Sequence, residues 1–90
     1  MLFSDLKDFF NNPKIVGKLP KKKIKYLSDH SKNVDGSTLL VINKKKNFKL
    51  SYLKEAISKN LNTIITNSYL KNCSLTQIVV KDLEKEISRL

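Results

Sequence analysis

Side chains able to do covalent chemistry are few and widely spaced in this chain. His30 is the sole histidine and Cys73 the sole cysteine, and neither has an evident third partner to complete a nucleophile–base arrangement. Cys73 alone forms no internal disulfide and no multi-cysteine metal site, and reads as a small apolar residue. His30 reads as a half-exposed loop histidine. A phosphate-cradling P-loop needs two glycines with four residues between them, followed by Lys and Ser or Thr. The sole Gly-Lys pair is Gly17-Lys18, with Asn12 where the earlier glycine belongs and Leu19 where the hydroxyl belongs. No carboxylate spacing suggests an acid–base pair or a divalent-metal site. The chain therefore reads as a binding domain or as a piece of an enzyme.

The elements that would position a binding site are legible from apolar patterning. Thr38-Leu39-Leu40-Val41-Ile42 is a short, continuous apolar block rich in β-formers, as expected of a strand covered on both faces. Tyr52 to Asn60 turns to helical spacing, with Ser51 the predicted N-cap and Leu53, Ala56 and Ile57 the predicted inner face. Asn60 suits the left-handed position that closes a helix. Thr63-Ile64-Ile65-Thr66 is apolar and β-branched again, so strand, helix and strand form a right-handed βαβ unit. Ile24-Lys25-Tyr26-Leu27 and Gln77-Ile78-Val79-Val80 supply two further predicted strands. At the N-terminus, Phe3, Leu6 and Phe10 line one face of a short helix closed by Asn11-Asn12 before Pro13. Asp82 caps a closing helix with Leu83, Ile87 and Leu90 on one face. The expected fold is α/β: a small, mostly parallel sheet with flanking helices, burying Leu40, Ile42, Ile64, Ile65 and Val79. One domain spans 1–90, with an N-terminal helix and basic connector over 1–23 and the βαβ core over 24–90.

The 90 residues carry a formal net charge of +10, which attracts polyanions. Arg89, however, is the only arginine among 18 basic residues. Lys, Asn and Ile are specified by A/T-rich codons, and nucleic-acid surfaces favour arginine forks for phosphate and guanine. Nucleic acid is accordingly not the expected partner. No apolar run is long enough to span a membrane and no signal peptide is evident, so the expected compartment is the cytoplasm.

Between Ile24 and Asp82 the order of features resembles the N-terminal domain of the Mur ligases, most closely the branch that adds the third amino acid to the peptidoglycan precursor. In that family an apolar strand is followed by Asp-Ser-Arg, a turn and a strand of the type Leu-Phe-Val-Ala. Ile24 and Leu27 supply the first strand, His30-Ser31-Lys32 stand at the tripeptide, Val34 matches the usual valine, and Leu39-Leu40-Val41-Ile42 takes the next strand. Tyr52 to Asn60 follows the family helix Phe-Ile-x-x-Ala-Ile-x-x-Gly. Thr63-Ile64-Ile65 follows its strand Ala-x-Ile-Ile, and Ile78 to Asp82 its Ile-x-Val-x-Asp. His30 and Lys32 in place of Asp and Arg, Asn60 in place of Gly, and Lys44-Lys45-Lys46-Asn47-Phe48 in place of a glycine-containing loop are the departures.

The resemblance implies that this domain holds the uridine diphosphate end of UDP-N-acetylmuramoyl-peptide, while central and C-terminal domains of the same ligase bind ATP, magnesium and the incoming amino acid. It implies substrate contacts by Ser31 to the uridine, by Asp29 on the same lip, and by Lys45, Lys46 and Asn47 in the loop approaching the nucleotide. This chain itself is expected to bind no cofactor. The ligase that adds D-alanyl-D-alanine has a similar layout, and a small basic nucleic-acid-binding or interaction module is a further alternative.

Without a P-loop the 90-residue chain is predicted neither to bind nor to hydrolyse ATP. A phosphate-release assay on the purified protein checks this. Turnover that disappears in Ser31→Ala or Lys45→Ala would contradict it.

Overall fold

The computed structural model describes residues 1–30, 34–46 and 49–90. A 3₁₀ turn, Phe3–Asp5, runs into helix α1 (Leu6–Phe9), and strand β1 is Lys14–Val16. Strands β2 (Tyr26–Ser28) and β3 (Thr38–Ile42) follow, then helix α2 (Leu50–Ser58), β4 (Thr63–Thr66), β5 (Thr76–Val79) and helix α3 (Leu83–Ser88). The strands form one sheet in the order β1-β5-β4-β3-β2. β2, β3, β4 and β5 are parallel to their neighbours, and β1 closes the far edge antiparallel to β5. The fold is thus the expected α/β type with a mostly parallel sheet.

Each step from β2 to β5 moves one position in the same direction across the sheet. Right-handed crossovers must then all pass over the same face. The packing agrees: Val34 from the first crossover, Leu53 and Ala56 from α2, and Leu70 and Leu75 from the third form one cluster with Leu40, Ile42 and Ile64. The opposite face carries Leu39, Ile65 and Ile78, and is covered by Phe3, Leu6 and Phe10 from the N-terminal segment and by Val80 and Leu83. Because both faces are covered, β4 is buried at every position and reads as a continuous apolar run. Burying a Leu, Ile or Phe side chain contributes about 1.5–3 kcal/mol, so each cluster is essential to so small a domain.

Two polar devices complete the core. Gln77 is fully buried in the helix-covered face. Its side chain accepts from Leu70 N–H and donates to the Leu70 carbonyl, both at 2.9 Å, which pins the helix-free crossover between β4 and β5. On the other face Glu86, 4% exposed, accepts from Arg89 Nη1 at 3.1 Å and from Asn11 N–H at 3.4 Å. Arg89 Nη2 donates to the Phe9 carbonyl at 3.2 Å, and its guanidinium lies 5.1 Å from the Phe9 ring centroid. The chain's only arginine thus joins α3 to α1. Among the described residues no buried side-chain nitrogen or oxygen lacks a partner.

Several local expectations are corrected. The segment read as a connector contains β1, whose Ile15 packs on the core and pairs with Ile78. Gly17, at φ +97°, reverses the chain just after it; a Cβ there would lie 2.9 Å from Thr76 Oγ1. The first helix begins as a 3₁₀ turn because the Asp5 carboxylate accepts Leu2 N–H at 2.9 Å and tightens the start. The predicted strand at Ile24 starts instead at Tyr26, since Ile24 N–H is held by the Met1 carbonyl. Helix α2 starts at Leu50 with Lys49 at the N-cap and no side-chain cap, so Ser51 lies inside the first turn. Ile57 is exposed rather than inward, because α2 turns only Leu53 and Ala56 fully onto the sheet. Val79, at the end of β5 beside edge strand β1, is half-buried, and Ile78 and Val80 take the deep positions. Leu90 lies beyond the end of α3 and is exposed. Asn60 does adopt the left-handed conformation at φ 66°, and Asp82 Oδ1 does cap α3 by accepting Lys85 N–H at 3.2 Å. Among the described residues no helix is long and apolar enough to cross a membrane.

Replacing Gln77 by Leu keeps the volume but orphans a buried N–H and a buried carbonyl of Leu70. Each orphan costs about 1–3 kcal/mol, so Gln77→Leu is expected to lower the unfolding free energy by about 3 kcal/mol in urea titration. A loss under 0.5 kcal/mol, well short of a single orphan's cost, would show the clamp to be dispensable.

Candidate functional site

β2 ends opposite Leu40, whereas β3 runs on to Ile42. This mismatch leaves a notch at the carboxyl end of the sheet, where open α/β folds hold ligands. A crevice of about 470 Å³ occupies it, with Val41, Ile42, Leu83 and Ile87 as apolar lining and Asp29, Asn43, Lys46, Tyr52 and Glu84 as polar lining. Asp29 arrives directly after β2, Asn43 and Lys46 after β3, Tyr52 in the first turn of α2, and Leu83 and Glu84 at the start of α3.

The loop after β3 is held by an asparagine pair. The register Ile42↔Thr66 sets Asn43 and Asn67 abreast at the ends of their strands. Asn67 Nδ2 donates to Asn43 Oδ1 at 2.7 Å, and Asn67 Oδ1 accepts Lys44 N–H at 3.1 Å. Asn43 in turn accepts Lys45 N–H on Oδ1 at 3.0 Å and Lys46 N–H on its carbonyl at 3.1 Å. Successive residues of a strand direct their backbone groups to alternate edges. Because Lys44 N–H points toward β4, the Val41 carbonyl and Asn43 N–H turn to the opposite edge, above the end of β2. An acceptor and a donor on a strand edge match the N–H and carbonyl edge of a planar amide or base.

Electrostatically the crevice is mixed. Lys46 Nζ lies 3.5 Å from Glu84 Oε1, both side chains being well exposed, and such a pair contributes little stability. Asp29 sits beside His30 Nε2 at 3.4 Å, likewise in solvent. The uncapped first turn of α2 borders the crevice and favours anions, and Lys49 Nζ lies 5.9 Å from the Tyr52 ring centroid. A diphosphate is better matched by the outer lip at Lys45 and Lys46 than by the interior, which Asp29 and Glu84 share.

Of the residues expected to bind substrate, Asp29 and Lys46 meet in the crevice. Lys45 is exposed on the same loop, outside the crevice wall. Ser31 and Asn47 lie outside the described residues, as do Lys32 and Phe48. His30 is exposed, its N–H and carbonyl both bonded to Ser28 Oγ at 3.0 Å. Sequence reasoning missed Tyr52 as a wall residue and Asn43 and Asn67 as the loop's anchors. An Asn immediately after each of two neighbouring parallel strands was the available signal. Cys73 is half-buried against the helix-covered core cluster, as a small apolar residue would be.

No protein-family model and no curated protein matches the chain.

Asn67→Ala removes the crosslink and the acceptor of Lys44 N–H. It is expected to cost about 1 kcal/mol of stability and to speed amide exchange selectively at Lys44 and Lys45. Unchanged exchange at both amides would show that the loop is held by other means.

Proposed function

We propose that the domain anchors the uridine diphosphate end of UDP-N-acetylmuramoyl-L-alanyl-D-glutamate, as the N-terminal domain of an ATP-dependent Mur ligase that adds the third amino acid of peptidoglycan. The observation that carries this reading is the notch above β2. It combines an apolar slot, an aromatic wall at Tyr52 and Lys46 at its mouth with the Val41 carbonyl and Asn43 N–H that the strand alternation turns outward. Uracil presents an N–H between two carbonyls, which suits such a strand edge, and Tyr52 offers a stacking surface. Lys45 and Lys46 then meet the diphosphate as point charges. Ser31 is proposed to contact the uridine from the lip that Asp29 begins, and Asn47 to follow the lysines along the loop. ATP, magnesium and the incoming amino acid belong to the central and C-terminal domains of the ligase, whose precursor substrate places the reaction in the cytoplasm.

The basic-module reading is less well supported. The one arginine is engaged between α3 and α1, so no guanidinium fork is left for phosphate or guanine.

Titration with UDP-N-acetylmuramoyl-dipeptide is expected to shift amide resonances of Asp29, Asn43, Lys46 and Tyr52, and to weaken only modestly with salt. Tyr52→Ala is expected to cost about 1–2 kcal/mol of affinity, the scale of one base–aromatic stack. Ser31→Ala is expected to cost about 1 kcal/mol, one hydrogen bond. Duplex DNA binding with a steep salt dependence, about −0.9 in logarithmic slope per phosphate contact, and no response to the UDP-sugar would overturn the proposal.

A further inference from the structure

β2 forms the edge of the sheet opposite β1, and among the described residues no other strand lines its outer side. Tyr26 and Leu27 on it are 56% and 46% exposed. Tyr26 N–H donates to the Ser37 carbonyl beside β3 at 3.3 Å, so the alternation of the ladder turns the N–H and carbonyl of Leu27 away from β3. An open edge of this kind is a template for a further strand. Along it runs an apolar groove of about 270 Å³, bounded by Met1, Ile24, Leu27 and Leu90, with Leu39 at its floor. Lys25, exposed, lines this groove at the amino end of the edge, and Lys21, Lys22 and Lys23, also exposed, precede it in the segment that pairs with Leu2 and Phe3.

We propose that the β2 margin docks an extended, acidic segment of a partner polypeptide, which adds to the sheet as a sixth strand. Charge and backbone chemistry together select this occupant. The lysines alone would suit any polyanion, but a phosphate backbone offers no alternating N–H and carbonyl groups to Leu27 and nothing apolar for the groove. A second copy of the chain would bring a second net charge of +10 to the edge. An acidic β-strand satisfies all three features at once. Its main chain pairs with Leu27, an apolar side chain enters the groove over Leu39, and its carboxylates lie toward Lys23 and Lys25. Asp29 follows the carboxyl end of β2, while at the amino end Asp5, which accepts Leu2 N–H, and Asp35, which accepts Ser37 N–H, are outnumbered by the four lysines. This site lies on a different part of the sheet from the crevice and does not depend on its ligand.

The test uses the full chain, labelled with nitrogen-15, and three short acetylated probes. One is an alternating valine–glutamate peptide, one its lysine-for-glutamate counterpart, and one the acidic peptide N-methylated at alternate residues. The acidic peptide is expected to shift the Leu27 amide and the amides of Ile24 and Leu39. The other two are expected to bind about tenfold more weakly or worse, as the loss of one or two backbone hydrogen bonds or of the charge match requires. Joint replacement Lys23→Glu and Lys25→Glu is expected to weaken the acidic peptide to the same degree. Should that variant fail to fold, the N-methyl comparison, which leaves the chain untouched, still decides. Equal response to the N-methylated peptide, shifts confined to Lys21 through Lys25, no shift at millimolar peptide, or Leu27 shifts explained by self-association in sedimentation would each overturn the proposal.

Discussion

The right-handedness of parallel crossovers is the constraint from which the rest of this domain follows. Since β2, β3, β4 and β5 succeed one another in one direction, every connection between them is driven to the same face of the sheet. That face is covered by the chain's own path, even where the crossover has no helix and a buried Gln77 must hold it. The opposite face receives no crossover at all. Its apolar row, Leu39, Ile65 and Ile78, has to be covered by the segments before β2 and after β5. Those two segments meet each other as well as the sheet, and the Phe9, Glu86 and Arg89 contacts form their joint.

The same progression makes one end of the sheet uneven. β2 is an edge strand with only one neighbour, and it stops short of β3. Among the described residues no strand pairs with β3 on that side beyond this point, and α2 and α3 border the gap. Apolar floor, free backbone groups and lysine mouth are therefore by-products of strand lengths and of the turn that Asn43 and Asn67 build. Asp29 and Glu84 temper the lysines, so the crevice carries both signs of charge.

The interior strands were legible because a strand covered on both faces has no alternation to disguise it, and Leu39 through Ile42 and Thr63 through Thr66 are such strands. β1 was not legible. Three residues are too few to show a period, and Lys14, Ile15 and Val16 find their partners at the far end of the sequence. The start of α2 was misplaced because Ser51 is a good capping residue, whereas the observed N-cap, Lys49, makes no side-chain cap at all. For the site, the lysine loop and Asp29 both stood out by their place in the resemblance. Tyr52 and the asparagine pair did not, since their roles arise only when β3 and β4 lie side by side.

The joint at Arg89 also bears on how such a chain tolerates base composition. Where codons drift toward A and T, an arginine triplet becomes a lysine triplet by a single change, and 17 of the 18 basic residues here are lysine. Position 89 is not. One guanidinium reaches the Glu86 carboxylate with one nitrogen and the Phe9 carbonyl with another, while its flat face rests near the Phe9 ring. A lysine ammonium would keep the charge and give up the simultaneous reach. The single arginine thus marks the place in the molecule where shape, rather than charge, is required of a basic residue.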